Sequence, residues 1–162
     1  MGVESKVRLG DEAIPVLVLR GVAAGDAGEL FAAVAGELAG RGWVAPTFAD
    51  ALAERERQFP TGLDFGRFTA ALPHADIEHA RRSALAVVFT QAPVEFRAMD
   101  DPNRALACQL VIVPVLTDPG KQVPFLSATA TALQQPGFYE ELVEAPNEEA
   151  VVGLLQRAFG TS

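Results

Sequence analysis

An α/β layered domain is the fold class this chain predicts, and three features of the sequence carry the prediction. Apolar strand-like runs alternate with amphipathic helical patterns, the order expected of a sheet covered by helices. Ala105 to Leu116 is almost continuously apolar, as a strand buried on both faces must be. No repeat, low-complexity linker or shift in composition divides the chain, and 162 residues suffice for one well-packed domain but are few for two.

In chain order, residues 1–12 are mostly polar and read as a flexible N-terminal segment, leaving 13–162 as the single domain. Ile14 to Leu19 reads as a first strand, with Pro15 favouring an edge because proline gives a ladder no N–H. Asp26 then opens a helix in which Glu29 is placed to complete a capping box. Leu30, Phe31, Val34 and Leu38 share one face of it, and Gly40 with Gly42 ends it. A second helix begins at Pro46-Thr47, with Thr47 and Asp50 as its cap and Ala51 and Leu52 inward. Its last turn carries Glu54, Arg55, Glu56 and Arg57, a run that reads as a solvated helix end. Phe59 to Arg67, with Pro60, Gly62 and Gly66, is a turn-rich loop, and Thr69 to Leu72 leads into His74. Ser83 to Thr90 reads as a buried strand, Val94-Glu95-Phe96 as a short edge strand and Ala105 to Leu116 as the central one. Helical patterns follow near Val123 to Leu133, Tyr139 to Val143 and Glu148 to Phe159, the last capped by Asn147.

Composition narrows the function. Hydrophobic content of 49% with 21% charged residues belongs to a globular protein and excludes a disordered one. A net charge of -8 argues against a nucleic-acid surface, which needs concentrated positive charge. The lone cysteine, Cys108, excludes an internal disulfide and suits a reducing compartment. Met1 to Lys6 lacks the apolar core of a signal peptide, and no aliphatic run is long enough to span a bilayer. A soluble cytoplasmic protein without membrane insertion is expected.

The chemistry centres on Leu72-Pro73-His74-Ala75-Asp76. Pro73 biases Leu72 toward an extended backbone, so the pair delivers one imidazole from a loop rather than a helix. Near neutral pH an unprotonated imidazole nitrogen can attack phosphorus and later release it. A Pro-His pair alone is equally the sequence of an ordinary turn histidine. His74, Asp76 and His79 have the residue types of a metal site, yet helical positions five apart diverge by about 140°. Glu78 and Arg82 read instead as a surface ion pair. Cys108, inside the apolar strand, reads as a small buried hydrophobe rather than a nucleophile. The chain has no Gly-x-x-x-x-Gly-Lys phosphate loop and no Gly-x-Ser-x-Gly elbow. No metal and no cofactor is expected.

Arg55-Glu-x-x-Phe59-Pro-Thr-Gly62, followed by Leu72-Pro-His74 with the histidine nineteen residues after Arg55, resembles the enzyme IIA component of sugar phosphotransferase systems. Within that group it is most similar to galactitol-like members of the fructose/mannitol class. The resemblance runs from about Leu30 to Phe159 and takes in Ser83-Ala-Leu, Val94-Glu-Phe96 with Asp100-Asp101, and Leu133-Gln-Gln-Pro136.

The resemblance implies a mixed parallel/antiparallel five-stranded sheet flanked by helices, and a cytoplasmic phosphocarrier. The carrier HPr would donate a phosphoryl group to His74, which would pass it to a cysteine of enzyme IIB, with IIC at the membrane. Arg55 aligns with the arginine beside the phosphohistidine; its forked, always charged guanidinium suits phosphoryl oxygens. Thr61 would orient the arginine or the imidazole through its hydroxyl. Mannitol- and fructose-type members often carry a second histidine where this chain has Gln122, which hydrogen-bonds but cannot titrate. The alternative is a regulatory module of the same fold that signals through the phosphorylation state of His74 without transport. Either way, the imidazole is expected in an open pocket with the guanidinium close by.

Overall fold

The computed structural model describes residues 5–159. In order these form β1 (Lys6–Leu9), β2 (Glu12–Val22), α1 (Ala27–Gly40), α2 (Phe48–Gln58), β3 (Gly62–Asp64) and β4 (Thr69–Ala71). A short 3-10 turn at Ile77–His79 leads to β5 (Ala84–Ala98) and β6 (Asp101–Val115), followed by α3 (Gln122–Gln134), α4 (Phe138–Glu144) and α5 (Glu148–Phe159).

The β5–β6 hairpin is the spine of a mixed sheet. β2 runs parallel to β5 on one side, and β4 runs parallel to β6. β3 pairs antiparallel with β4 and meets β5 again at Gly62 and Ala98, so the far end of the hairpin curls back on itself. Alternation along the strands splits the interior into two layers, an upper core beneath α1 and α2 and a lower core beneath α3, α4 and α5. Ala86, Val88, Val111 and Val113 face Leu30, Phe31, Leu38, Phe48 and Leu52 of α1 and α2. Leu85, Val87, Leu110 and Ile112 face Phe125, Leu142, Val151 and Leu155 of α3, α4 and α5.

Both ends of α1 follow from local chemistry. Asp26 accepts from the Glu29 N–H at 2.8 Å, and the Glu29 carboxylate accepts from the Gly25 N–H at 2.8 Å. At the other end the Trp43 and Gly42 N–H groups bond back to the Leu38 and Ala39 carbonyls, with Gly42 at φ 77°. That is the left-handed closure glycine permits without strain. Asn147 caps α5 through its bond to the Ala150 N–H at 2.9 Å.

Several expectations need correction. The sheet has six strands rather than five. Lys6–Leu9, within the segment expected to be flexible, is the edge strand β1; Val7 and Leu9 point into the lower core, a two-residue alternation too short to stand out in a polar stretch. The residues before Ser5 lie outside the described part. Because β1 covers it, β2 is not an edge strand, and Pro15 sits opposite Lys6 in the β1 ladder. Val94-Glu95-Phe96 is no separate strand: β5 continues through it after a register shift between Phe89 and Val94. Gly62–Asp64, inside the turn-rich loop, forms β3. Thr47 makes no side-chain cap for α2.

Candidate functional site

β4 ends at Ala71, and the chain then leaves regular structure through Leu72 and Pro73 to His74. Ala71 belongs to the upper core and Leu72 to the lower, so the segment leaving the sheet is gripped from both sides. His74 is only 7% exposed. The ring is therefore more enclosed than an open pocket would make it.

His74 Nδ1 lies 2.9 Å from the Leu72 carbonyl oxygen. A carbonyl only accepts, so Nδ1 must carry the proton. Burial first, with the positive charge of Arg55 in support, lowers the ring pKa from its ordinary value; the Leu72 carbonyl and Asp76 pull the other way. A neutral ring with its proton on Nδ1 has its lone pair on Nε2. That is the protonation state of a nucleophile.

Arg55, from the last turn of α2, donates from Nη1 to Asp76 Oδ1 at 2.8 Å. Its Cζ stands 5.0 Å from the Phe59 ring centroid, a cation–π contact. The buried Nε has no hydrogen-bond partner. Arg55, Asp76 and His79 line a cleft of about 160 Å³ with Glu54 and Gln58. The larger groove of about 850 Å³, bordered by α3, α4 and α5, holds none of these residues.

The turn carrying Asp76 is itself held. His79 N–H bonds to the Asp76 carbonyl, Ala45 N–H bonds to the His79 carbonyl, and His79 Nδ1 shares a 2.8 Å bond with the Thr47 hydroxyl. His79 is thus a strut between the turn and the start of α2. His74 Nδ1 and His79 Nδ1 bond to different partners, Leu72 and Thr47, and Asp76 bonds to Arg55. Among the described residues no group of three or more His, Cys, Asp or Glu could hold a metal.

Thr61 does not orient Arg55 or His74 through its hydroxyl as expected. Its hydroxyl donates to Glu56 Oε1 and its backbone N–H to Glu56 Oε2, both at 2.8 Å. Glu56, in the last turn of α2, takes both donors. Gln122 is the first residue of α3, partly buried, and no hydrogen bond joins it to His74 among the described residues. Pro124 sits in the first turn of α3, where its missing N–H would have no helical partner anyway. Cys108 is fully buried and its thiol is pushed up to about 11, which leaves it a packing residue. Sequence reasoning weighed Asp76 only as a metal ligand, missing its pairing with Arg55, and missed Glu56 altogether. Asp76 passes as a turn residue two places past a histidine, and Glu56 is hidden in a charged run.

The mixed α/β sheet thus presents a buried imidazole on the segment after β4 and a guanidinium at the end of α2. The chain belongs to the family described as "Phosphoenolpyruvate-dependent sugar phosphotransferase system, EIIA 2", which matches residues 15–158, and it is a phosphotransferase component of that system. It is 31% identical over 134 residues to the PTS system galactitol-specific EIIA component of Escherichia coli strain K12, covering 83% of this chain and 89% of that protein. The fold matches the Escherichia coli enzyme IIA for mannitol, solved in complex with its phosphorylated enzyme IIB, with a TM-score of 0.69 at 20% identity over 86% of this chain and 94% of that one. It also matches the nitrogen regulatory protein IIA-Ntr of Neisseria meningitidis with a TM-score of 0.67 at 23% identity, covering 86% and 92% of the two chains. The fold is therefore common to sugar-specific and regulatory relatives. No described helix is long and apolar enough to cross a membrane.

Proposed function

We infer that His74 is the phosphoryl carrier and that Nε2 is the atom that bears the group. In the loading step Nε2 attacks the phosphorus of a phosphohistidine on an HPr-type donor. The new P–Nε2 bond forms as the donor's P–N bond breaks, and that electron pair returns to the donor imidazole. In the unloading step a cysteine thiolate of enzyme IIB attacks the same phosphorus, and the P–Nε2 pair returns to His74. Arg55 holds the equatorial oxygens through the two transfers. Such transfers ask for alignment and charge stabilisation rather than for covalent machinery. Gln122 enters as an uncharged hydrogen-bonding side chain.

The observation that carries this reading is the Nδ1 bond to the Leu72 carbonyl, which leaves Nε2 unprotonated within electrostatic reach of Arg55. The reading places the protein in the cytoplasm, where phosphoenolpyruvate is made, and passes the group on toward IIC at the membrane. The 31% identity to galactitol-specific components favours sugar transport over the regulatory alternative. Incubation with enzyme I, HPr and labelled phosphoenolpyruvate is expected to label wild type and His79→Ala but not His74→Ala. Label retained in His74→Ala would remove His74 from this role.

A further inference from the structure

Glu56 sits next to Arg55 in the sequence yet faces elsewhere. Its carboxylate accepts both donors of Thr61, the backbone N–H and the hydroxyl, at 2.8 Å each. Thr61 is 1% exposed. The Thr61 carbonyl then accepts from the Leu72 N–H at 3.2 Å, and the Leu72 carbonyl accepts from His74 Nδ1 at 2.9 Å. One unbroken line of hydrogen bonds thus runs from the end of α2, across the mouth of the β3–β4 pair, to the imidazole.

A carboxylate partly withdrawn from water costs free energy unless it is bonded, and Glu56, half-buried on the last turn of a helix, is in that position. Burial raises its pKa, and the two Thr61 bonds oppose that rise. An ordinary helix end would leave this side chain in solvent with its neighbours Glu54 and Arg57.

We propose that Glu56 is a positioning residue for phosphoryl transfer: by clamping Thr61 it holds the Leu72 carbonyl where it keeps the proton of His74 on Nδ1. The proposal rests on the reading of His74 as the carrier, and it assigns Arg55 and Glu56 complementary tasks. Arg55 meets the transferred group; Glu56 fixes the ring that carries it. An imidazole lacking such a bond holds its proton mainly on Nε2, the nitrogen that must stay free here. Loosening the clamp therefore converts the ring to the wrong tautomer without removing any group that touches phosphorus.

The test is nitrogen-15 NMR of the His74 ring at neutral pH in wild type, Glu56→Ala and Glu56→Gln, alongside the rate of phosphoryl acceptance from phospho-HPr. Wild type is expected to show the Nδ1–H form. Glu56→Ala should shift the ring to mainly Nε2–H and slow acceptance by about 10–100-fold, the usual cost of losing an orienting partner. Glu56→Gln, with one acceptor oxygen where two are used, should fall between; it decides the matter if Glu56→Ala does not fold. The Nδ1–H form persisting in a folded Glu56 variant would overturn the proposal, as would wild-type acceptance alongside a lost tautomer. If wild type took up no phosphoryl group, the carrier reading would fail, while the tautomer comparison would still decide whether Glu56 fixes the ring.

Discussion

Arg55 Nη1 donates to Asp76 Oδ1 at 2.8 Å, tying the last turn of α2 to the turn two residues beyond His74. The side chains of this pair are 35% and 62% exposed, so as a stabilising contact it contributes about 1 kcal/mol at most. Its consequence is geometric. A long flexible side chain is held against the segment that carries the nucleophile, and the same ion pair leaves Nε for another acceptor.

Replacing Arg55 with Ala should therefore separate function from stability. Transfer from phospho-HPr is expected to slow by on the order of 10²–10³-fold, as when one charge-stabilising donor is removed from a transfer site. The urea midpoint should correspond to a change of about 1 kcal/mol or less. Arg55→Lys keeps the charge but loses the fork and should recover only part of the rate. Rapid-quench measurement of labelled protein checks each.

Asp76 should act only through Arg55. Asp76→Ala is expected to slow acceptance by about 10-fold, the cost of a loosely aimed donor. In an Arg55→Ala background the same change should cost almost nothing, and a double-mutant cycle measures the difference. Additive losses would mean that Asp76 works by another route.

The pH dependence has a defined sign. Burial chiefly, then the Arg55 charge, places the His74 pKa below the ordinary imidazole value of about 6.5. Between that lowered value and about 6.5 the unfolded chain binds the proton and the folded chain does not, so stability rises with pH across this window and is flat above it. Relative to His74→Gln, wild type should lose stability as pH falls below about 6.5, read from paired urea titrations. Phosphoryl acceptance should stay level as pH passes 6.5, where a free imidazole is half protonated, and fall only at lower pH.

Much of this architecture was legible because single side chains dictate it. Asp26 with Glu29 announces the start of α1, Asn147 that of α5, and Pro73 delivers His74 from a segment outside any helix. The interior of β5 and β6 was legible from continuous apolar runs. What escaped was set by contacts distant in sequence. β1 forms because Val7 and Leu9 find a lower core built largely by helices more than a hundred residues away. Thr61 was assigned to Arg55 or His74 because all three share one motif, yet its bonds go to a carboxylate that the charge pattern placed in solvent. The pairing of Arg55 with Asp76 depends on how the turn after His74 is tied to Ala45 and Thr47, which no local signal encodes.

Gly62 ties the Thr61 segment to the hairpin. A Cβ there would meet the Arg97 carbonyl oxygen at 2.6 Å and Leu106 Cδ1 at 3.1 Å. The Gly62 carbonyl also accepts from the Met99 N–H at 2.8 Å, so the strand cannot shift without losing that bond. Gly62→Ala should destabilise the fold by about 1–3 kcal/mol through overpacking, measured by chemical denaturation. Because Thr61 would be displaced with it, acceptance by His74 should fall as well.

The central claim is that Nε2 of His74 carries the phosphoryl group while Nδ1 stays bonded to Leu72. Phosphorylating nitrogen-15 labelled protein with enzyme I, HPr and phosphoenolpyruvate, and recording long-range proton–nitrogen spectra of the ring, tests it directly. A phosphorus-coupled Nε2 with a protonated Nδ1 on His74 is the predicted result. Phosphorus on Nδ1, or on His79, would contradict the account.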